Sequence, residues 1–290
     1  MNSNQRLPGW LVGAILGISF TTLLVLERHW PLRKSVESKV RRSARNLALA
    51  ALGGALIQVT EMPVTIPLST WVESRKCGVM KYLSLPLWME VGLAVVLLDY
   101  TLYLWHILLH KVPFLWRCHQ PHHVDLDLDA STAIRFHFSE LIASVPWRVG
   151  QILLIGVSPL ALSVWQTATL LEVMFQHSNV RLPLGIERWL CFVIVTPRMH
   201  GIHHSIISDE QNSNLSSGLT LWDWLHGTLR LNVPQDDITI GVPAYQNPND
   251  VTLPQVLAMP FASQRTEQHL LDGRASIRLP TDVSRERLLR

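Results

Sequence analysis

The sequence predicts an all-α integral membrane protein: a bundle of helices with a histidine-lined site, able to hold more than one metal ion, at one membrane surface. Three observations predict it. Only 16% of the 290 residues are charged and the mean hydropathy is +0.20, which is low in charge for a soluble chain of this size. Long apolar segments recur at residues 10–26, 46–71, 85–110 and 145–176. Nine histidines gather where such segments end: His106 and His110 as H-x-x-x-H, His119, His122 and His123 as H-x-x-H-H, His177 alone, then His200, His203 and His204 as a second H-x-x-H-H. The formal net charge of +3 is too small to argue for nucleic acid. Cys77, Cys118 and Cys191 form neither a C-x-x-C nor a disulfide framework.

Residues 10–26 carry no charge before Glu27 closes them, which reads as a first span. The opening has only Arg6 as a basic residue, and 18–26 lacks a small-residue cleavage pattern, so a signal peptide is disfavoured. The next loop carries Arg28, Arg33, Lys34, Lys39, Arg41, Arg42 and Arg45, and that density places it in the cytoplasm. The second span, 46–71, is interrupted by Glu61, Pro63 and Pro67, so its far end is expected to kink or unwind. Residues 72–84 turn on the opposite side. The third span, 85–110, is long enough at about 1.5 Å per residue to cross a core of about 30 Å. It returns His106 and His110 to the cytoplasmic side. Asp99 lies about two turns earlier on this helix, and a carboxylate at membrane depth is a candidate orienter of a histidine or of a packed helix.

Pro121 favours the first turn of a helix over its interior, so His119 is expected to precede the helix bearing His122 and His123. Asp125, Asp127 and Asp129 read as a solvated loop. Residues 145–176 divide at Ser158-Pro159 into halves of about 14 to 17 residues, too short for an upright crossing, and are expected to form a hairpin dipping into the bilayer. That hairpin returns His177 to the side of the other eight histidines. Residues 189–195 read as an interfacial helix, and Pro197 as the start of the helix or turn bearing the last three histidines. From Asn232 the composition turns to Pro, Asn, Asp and Gln, then to frequent charge, as in a peripheral, partly flexible cytoplasmic tail. The expected division is 1–84 for the N-terminal helices and basic loop, 85–231 for the catalytic domain and 232–290 for the tail. His29, His226 and His269 read as ordinary surface or packed residues.

Residues three and four apart on a helix share a face, so each motif can aim several imidazoles at one centre. Neutral imidazole suits iron, copper, nickel and zinc alike. The H-E-x-x-H of a zinc hydrolase is absent, because Ile107 follows His106. Nine imidazoles buried near a membrane without partners would be costly, which makes a purely structural role for them untenable.

The histidine series resembles that of the fatty acid hydroxylase and sterol desaturase superfamily of membrane-bound di-iron oxygenases, over residues 98–231. The resemblance extends to Asp99-Tyr100, to Arg135-Phe136-His137 followed by Glu140, to His177-Ser178-Asn179, and to Trp222-Asp223 within 219–228. Ser216 and His226 depart from it, standing where the family usually has Gly and Phe. The resemblance implies two iron ions held by the nine histidines, with His137, Asp99, Glu140, Asn179 and Asp223 as further ligands or supports of ligands. No catalytic residue is implied beyond the metal site. It also implies that dioxygen and iron take a hydrogen atom from an unactivated C–H bond of a lipid or sterol-like substrate, giving an alcohol or, with loss of a second hydrogen, an alkene. Hydroxylation is the first expectation. Electrons would come from an external donor, a cytochrome, ferredoxin or reductase, since no haem, flavin, nicotinamide or ferredoxin motif is found. The expected location is a bacterial inner membrane. The competing class is a non-enzymatic membrane metal-binding or transport protein, which would want ionisable residues spread through its spans.

Overall fold

The computed structural model describes residues 2–265, and His269 lies outside them. Among the described residues the chain is helical, with three isolated bridges and no strand. Helix α1 (Gly9–His29) is about 31 Å long at 1.5 Å per residue, the thickness of a hydrocarbon core. It rests on the bundle through Leu16, Phe20 and Leu23. Helices α2 (Lys39–Val59) and α3 (Met62–Arg75) follow, and the axis bends by 46° between them, around Glu61. Pro63 in the first turn of α3 accounts for the break, because its missing N–H and fixed φ suit a helix start. Next come α4 (Leu87–Lys111) and α5 (Pro113–His123), joined by Val112 alone. Helix α6 (Phe138–Gln151) runs on through a π-helical turn (Ile152–Gly156), and α7 (Pro159–His177) returns antiparallel to it.

This is a membrane protein. Gly9–His29, Leu87–Lys111 and Phe138–Gly156 are long and apolar enough to cross a bilayer, and the bent α2–α3 pair would make a fourth span. The break at Ser158-Pro159 is where the sequence placed it. Ser158 Oγ accepts the Ala161 N–H at 3.2 Å, and Pro159 occupies the first turn of α7. The first limb is longer than expected, because it begins at Phe138 rather than at 145. Its N-terminus is capped by the His137 ring, which accepts the Ser139 N–H at 3.1 Å. The limb therefore has crossing length, which the halves inferred from sequence did not.

The hairpin tip is anchored by two glycines with positive φ, Gly78 (+92°) and Gly156 (+85°), packed back to back; a Cβ on Gly78 would overlap the Cα of Gly156. Val72, Leu98, Ile152, Val157 and Trp165 form the core beside this contact. With the tip fixed to the α3–α4 turn, the other end of the hairpin, bearing Glu140 and His177, sits against α5.

Two expectations are corrected here. Pro121 lies inside α5, so His119, His122 and His123 share one helix. The proline is tolerated because it falls in the last turn: the turn still closes through the Val124 N–H to the Gln120 carbonyl, and Arg135 Nε binds the Pro121 carbonyl at 2.7 Å. Asp125, Asp127 and Asp129 are not solvated; they are 0%, 6% and 3% exposed. Asp125 accepts from Arg42 at 3.0 Å and from Arg45 at 3.1 Å, with Arg135 at 3.8 Å. Asp127 receives the backbone N–H groups of Val36 and Glu37, and Asp129 pairs with Arg42. Arg42 and Arg45, counted as topology charges, are thus buried partners of these acids.

Short helices α8 (Leu184–Leu190), α9 (Pro197–His203), α10 (Ser208–Gln211) and α11 (Leu221–His226) follow, α9 packed on α7. Of the segment expected as a tail, Val242, Tyr245, Val251, Val256 and Met259 join Leu49 and Val124 in a core around α12 (Leu253–Ala258).

Candidate metal centre

The four histidine motifs converge. His106 and His110 lie one turn apart at the end of α4, α5 supplies the next three, α7 ends on His177, and α9 carries His200 and His203 with His204 just beyond. Their nitrogens form two groups, each drawn from three or more parts of the chain: His106, His110, His119, His123 and His203 in one, His122, His177, His200 and His204 in the other, with ligand atoms within 4.8 Å of one another in each. Helical spacing explains the division. In each H-x-x-H-H the pair four apart goes to one group and the intervening histidine to the other. Helix α5 gives two to the first group and one to the second, and α9 the reverse.

The residues fit metal ions on three counts. First, several rings have their tautomer set by a carbonyl, which can only accept. His106 Nδ1 donates to the Leu215 carbonyl at 2.7 Å, His177 Nδ1 to that of Val173 at 2.7 Å and His203 Nδ1 to that of Ser213 at 3.0 Å; His122 Nδ1 faces the Arg135 carbonyl at 3.3 Å. Each Nε2 then presents a lone pair. Second, these lone pairs converge: Nε2 of His177 lies 3.0 Å from that of His122 and 2.9 Å from that of His200, and His200 lies 3.1 Å from His204. Such approaches are unfavourable without a cation, and they match the edge of about 3.0 Å expected between nitrogens about 90° apart on a metal with bonds of about 2.1 Å. Third, Nε2 of His110 and of His203 are buried with no hydrogen-bond partner.

Burial, reinforced by neighbouring imidazoles, holds His122, His123, His200 and His204 well below the ordinary imidazole range, and burial takes His203 to about 3. They are neutral at physiological pH, the form that ligates.

The other predicted residues are placed differently. Glu140 brings a carboxylate oxygen to 3.1 Å from His119 Nδ1. Asp223 touches no histidine. It accepts the Leu215 and Ser216 N–H groups at 2.7 and 3.1 Å, so it holds the loop whose carbonyls orient His106 and His203. Asp99 takes the Leu219 N–H and Trp222 Nε1–H, packing α4 against α11. Asn179 bonds to the backbone of Arg33. His137 lies outside both groups, bonded to Ser139 and to the Leu257 carbonyl. Sequence reasoning missed the carbonyls of Leu215, Ser213 and Arg135, which have no side-chain signal. It also missed Arg33, whose guanidinium packs on Gly201 so closely that a Cβ there would overlap it.

Beneath both groups lies a cavity of about 300 Å³. His106 and His119 reach it from the first group, His122, His177 and His200 from the second. Its walls are mostly apolar, with Leu102, Leu141, Leu170 and Val173 among them, and Glu61 and Arg148 also line it. Size and lining suit a small-molecule site.

A family model for fatty acid hydroxylase matches residues 91–228. An ornithine lipid hydroxylase of Rhizobium tropici is 30% identical over 193 residues, 66% of this chain and 54% of that protein. Alkylglycerol monooxygenase of Xenopus tropicalis is 28% identical over 130 residues, 45% of this chain and 28% of that one. Cholesterol 25-hydroxylase of Mus musculus is 27% identical over 186 residues, 63% and 61%. The chain thus spans less than two thirds of the length of each of these relatives. No solved structure matches it significantly.

Proposed function

We propose that the chain is a membrane-bound di-iron oxygenase of the fatty acid hydroxylase superfamily that hydroxylates a C–H bond of a lipid or sterol-like substrate, a reading supported by the family model over residues 91–228 and by the ornithine lipid hydroxylase relative. One observation carries this reading: two groups of neutral imidazoles face a single apolar-walled cavity. His106, His110, His119, His123 and His203 would hold one iron, and His122, His177, His200 and His204 the other. Bound there, the irons supply activation of dioxygen and removal of hydrogen from an unactivated carbon. The chain does the rest. Backbone carbonyls fix the rings, the Glu140 carboxylate lies close beside His119, and Asp223 keeps the 213–216 loop in register. The apolar wall excludes water and aligns one carbon with the centre. Asp99, Asn179 and His137 act on packing rather than on metal.

The substrate class is supported by the relatives, whose names specify ornithine lipid, alkylglycerol and cholesterol. The same names, all hydroxylases or monooxygenases, favour hydroxylation over desaturation. Electrons come from a separate donor protein. A cytoplasmic position for the site is supported by the exposed Arg28, Lys34 and Arg41 at the end of α1, on the loop after it and at the start of α2, since Arg33 of that loop also bonds to the first residue of α9; the membrane would be a bacterial inner one. The catalytic unit is 85–231, preceded by the helices of 1–84 and followed by 232–290.

The test supplies labelled dioxygen, an electron donor and total membrane lipid to the purified protein. One labelled oxygen in the product is expected. Loss of two hydrogens without label would make it a desaturase, and label entering from water with or without air would mean hydrolysis and overturn the reading.

A further inference from the structure

The apolar cavity has one charged corner that the metal chemistry does not use. Glu61 stands at the bend between α2 and α3, and Arg148 lies on α6. Both line the cavity and their side chains are 11% and 13% exposed. Arg148 Nε lies 3.7 Å from the Glu61 carboxylate, beyond hydrogen-bond reach, and this nitrogen is buried with no partner. The guanidinium is nonetheless fixed. Its Nη1 donates to Gln151 Oε1 at 2.6 Å, Gln151 donates to Thr101 on α4, and the Trp165 ring lies 4.3 Å beneath. A rigid, incompletely bonded ion pair at membrane depth is expensive unless another group completes it.

Glu140, beside His119, and Arg148 are eight residues apart on α6, about 12 Å along the helix axis. The charged corner is therefore far from the histidines, at the opposite end of the cavity. Gln166 and Thr169 of α7 also line the cavity. The pair presents an acceptor and a donor and has no net charge. A carboxylate or phosphate would meet Arg148 but be repelled by Glu61; a bare hydrocarbon would leave both groups unbonded. A hydroxyl can donate to Glu61 and accept from Arg148.

We propose that Glu61 and Arg148 form the polar anchor of the substrate site, selecting a lipid that bears an uncharged hydroxyl and setting which carbon, about 12 Å away, reaches the histidines. The proposal rests on the oxygenase reading for what happens at that carbon, but binding can be measured apart from it. The probes are 12-bromododecan-1-ol, 12-bromododecanoic acid and 1-bromododecane, titrated at pH 8 into the full-length protein in detergent without an electron donor. Bromine quenches the fluorescence of Trp105 and Trp165, which line the same cavity. The alcohol should bind about tenfold or more tightly than the acid or the alkane. In E61Q/R148M the preference should fall below about twofold, with metal content unchanged. Equal affinity for alcohol and alkane in the natural protein, tighter binding of the acid, or an undiminished preference in the variant would each overturn the anchor. Selective binding of the alcohol together with no incorporation of labelled oxygen would leave the anchor standing and sink the oxygenase instead.

Discussion

His123 and Asp125 are separated by Val124 alone, yet they belong to buried polar clusters of opposite construction. Around Asp125 the chain answers every acid with a partner of its own, leaving only Arg42 Nε, Arg45 Nε and Arg135 Nη2 without a hydrogen bond. Both oxygens of Asp125, Asp127 and Asp129 have partners, drawn from Arg42, Arg45, Asn46, Thr132, Ser131 and the backbone of Val36 and Glu37. Around His123 it does not. Imidazole nitrogens face each other at 3.0 and 2.9 Å, and Nε2 of His110 and of His203 meets nothing. A cluster whose acids are paired with buried arginines is structural; a cluster of equal burial in which ring nitrogens face one another is waiting for a cation. Glu61 and Arg148 fall between, an ion pair just out of bonding range.

This contrast can be broken at four places. The largest effect is expected at the imidazoles: H110A, H122A and H203A should each abolish activity and lower iron content, with the fold retained by circular dichroism. Full activity in two of the three would end the assignment. Asp125→Ala should do the opposite. It removes the carboxylate that Arg42, Arg45 and Arg135 share and leaves Arg135 with no carboxylate partner, and should lower unfolding stability in detergent by about 3–5 kcal/mol, while whatever remains folded still binds metal.

Acid separates the clusters next. Burial alone would raise the Asp125 carboxyl, but Arg42, Arg135 and Arg45 hold it at about 2. Its folded value lies below the unfolded one of about 3.9, so its stabilisation is complete above that pH and is lost as pH falls through about 2. Protons compete with metal at every imidazole, so iron should leave at higher pH than the one at which the Asp125 cluster fails. Simultaneous loss in a pH titration would show the two to be one unit. The smallest effect is expected from Gly201→Ala. The new methyl must displace Arg33, which bonds to the Pro197 carbonyl and to Gln235 at 2.6 Å, costing about 1–3 kcal/mol in a melt with metal largely kept.

The contrast also explains what the sequence could reveal. That the nine histidines gather was legible, because helical spacing puts i, i+3 and i+4 on one face of a helix. The hairpin break was legible from Ser158-Pro159. The aspartates at 125–129 were not, since their partners Arg42 and Arg45 lie about eighty residues away and look like topology charges until the fold joins them. The start of α6 was missed because His137, read as a ligand or support, is its cap. The supports of His106 and His203 are carbonyls, and a carbonyl has no letter.

The measurement closest to the central claim is the metal content of the full-length chain after gentle purification from iron-supplied cells. The account predicts about two irons per chain, falling together when a histidine of either group is replaced, since α5 and α9 each serve both. A stable single zinc accompanied by hydrolytic activity would contradict it.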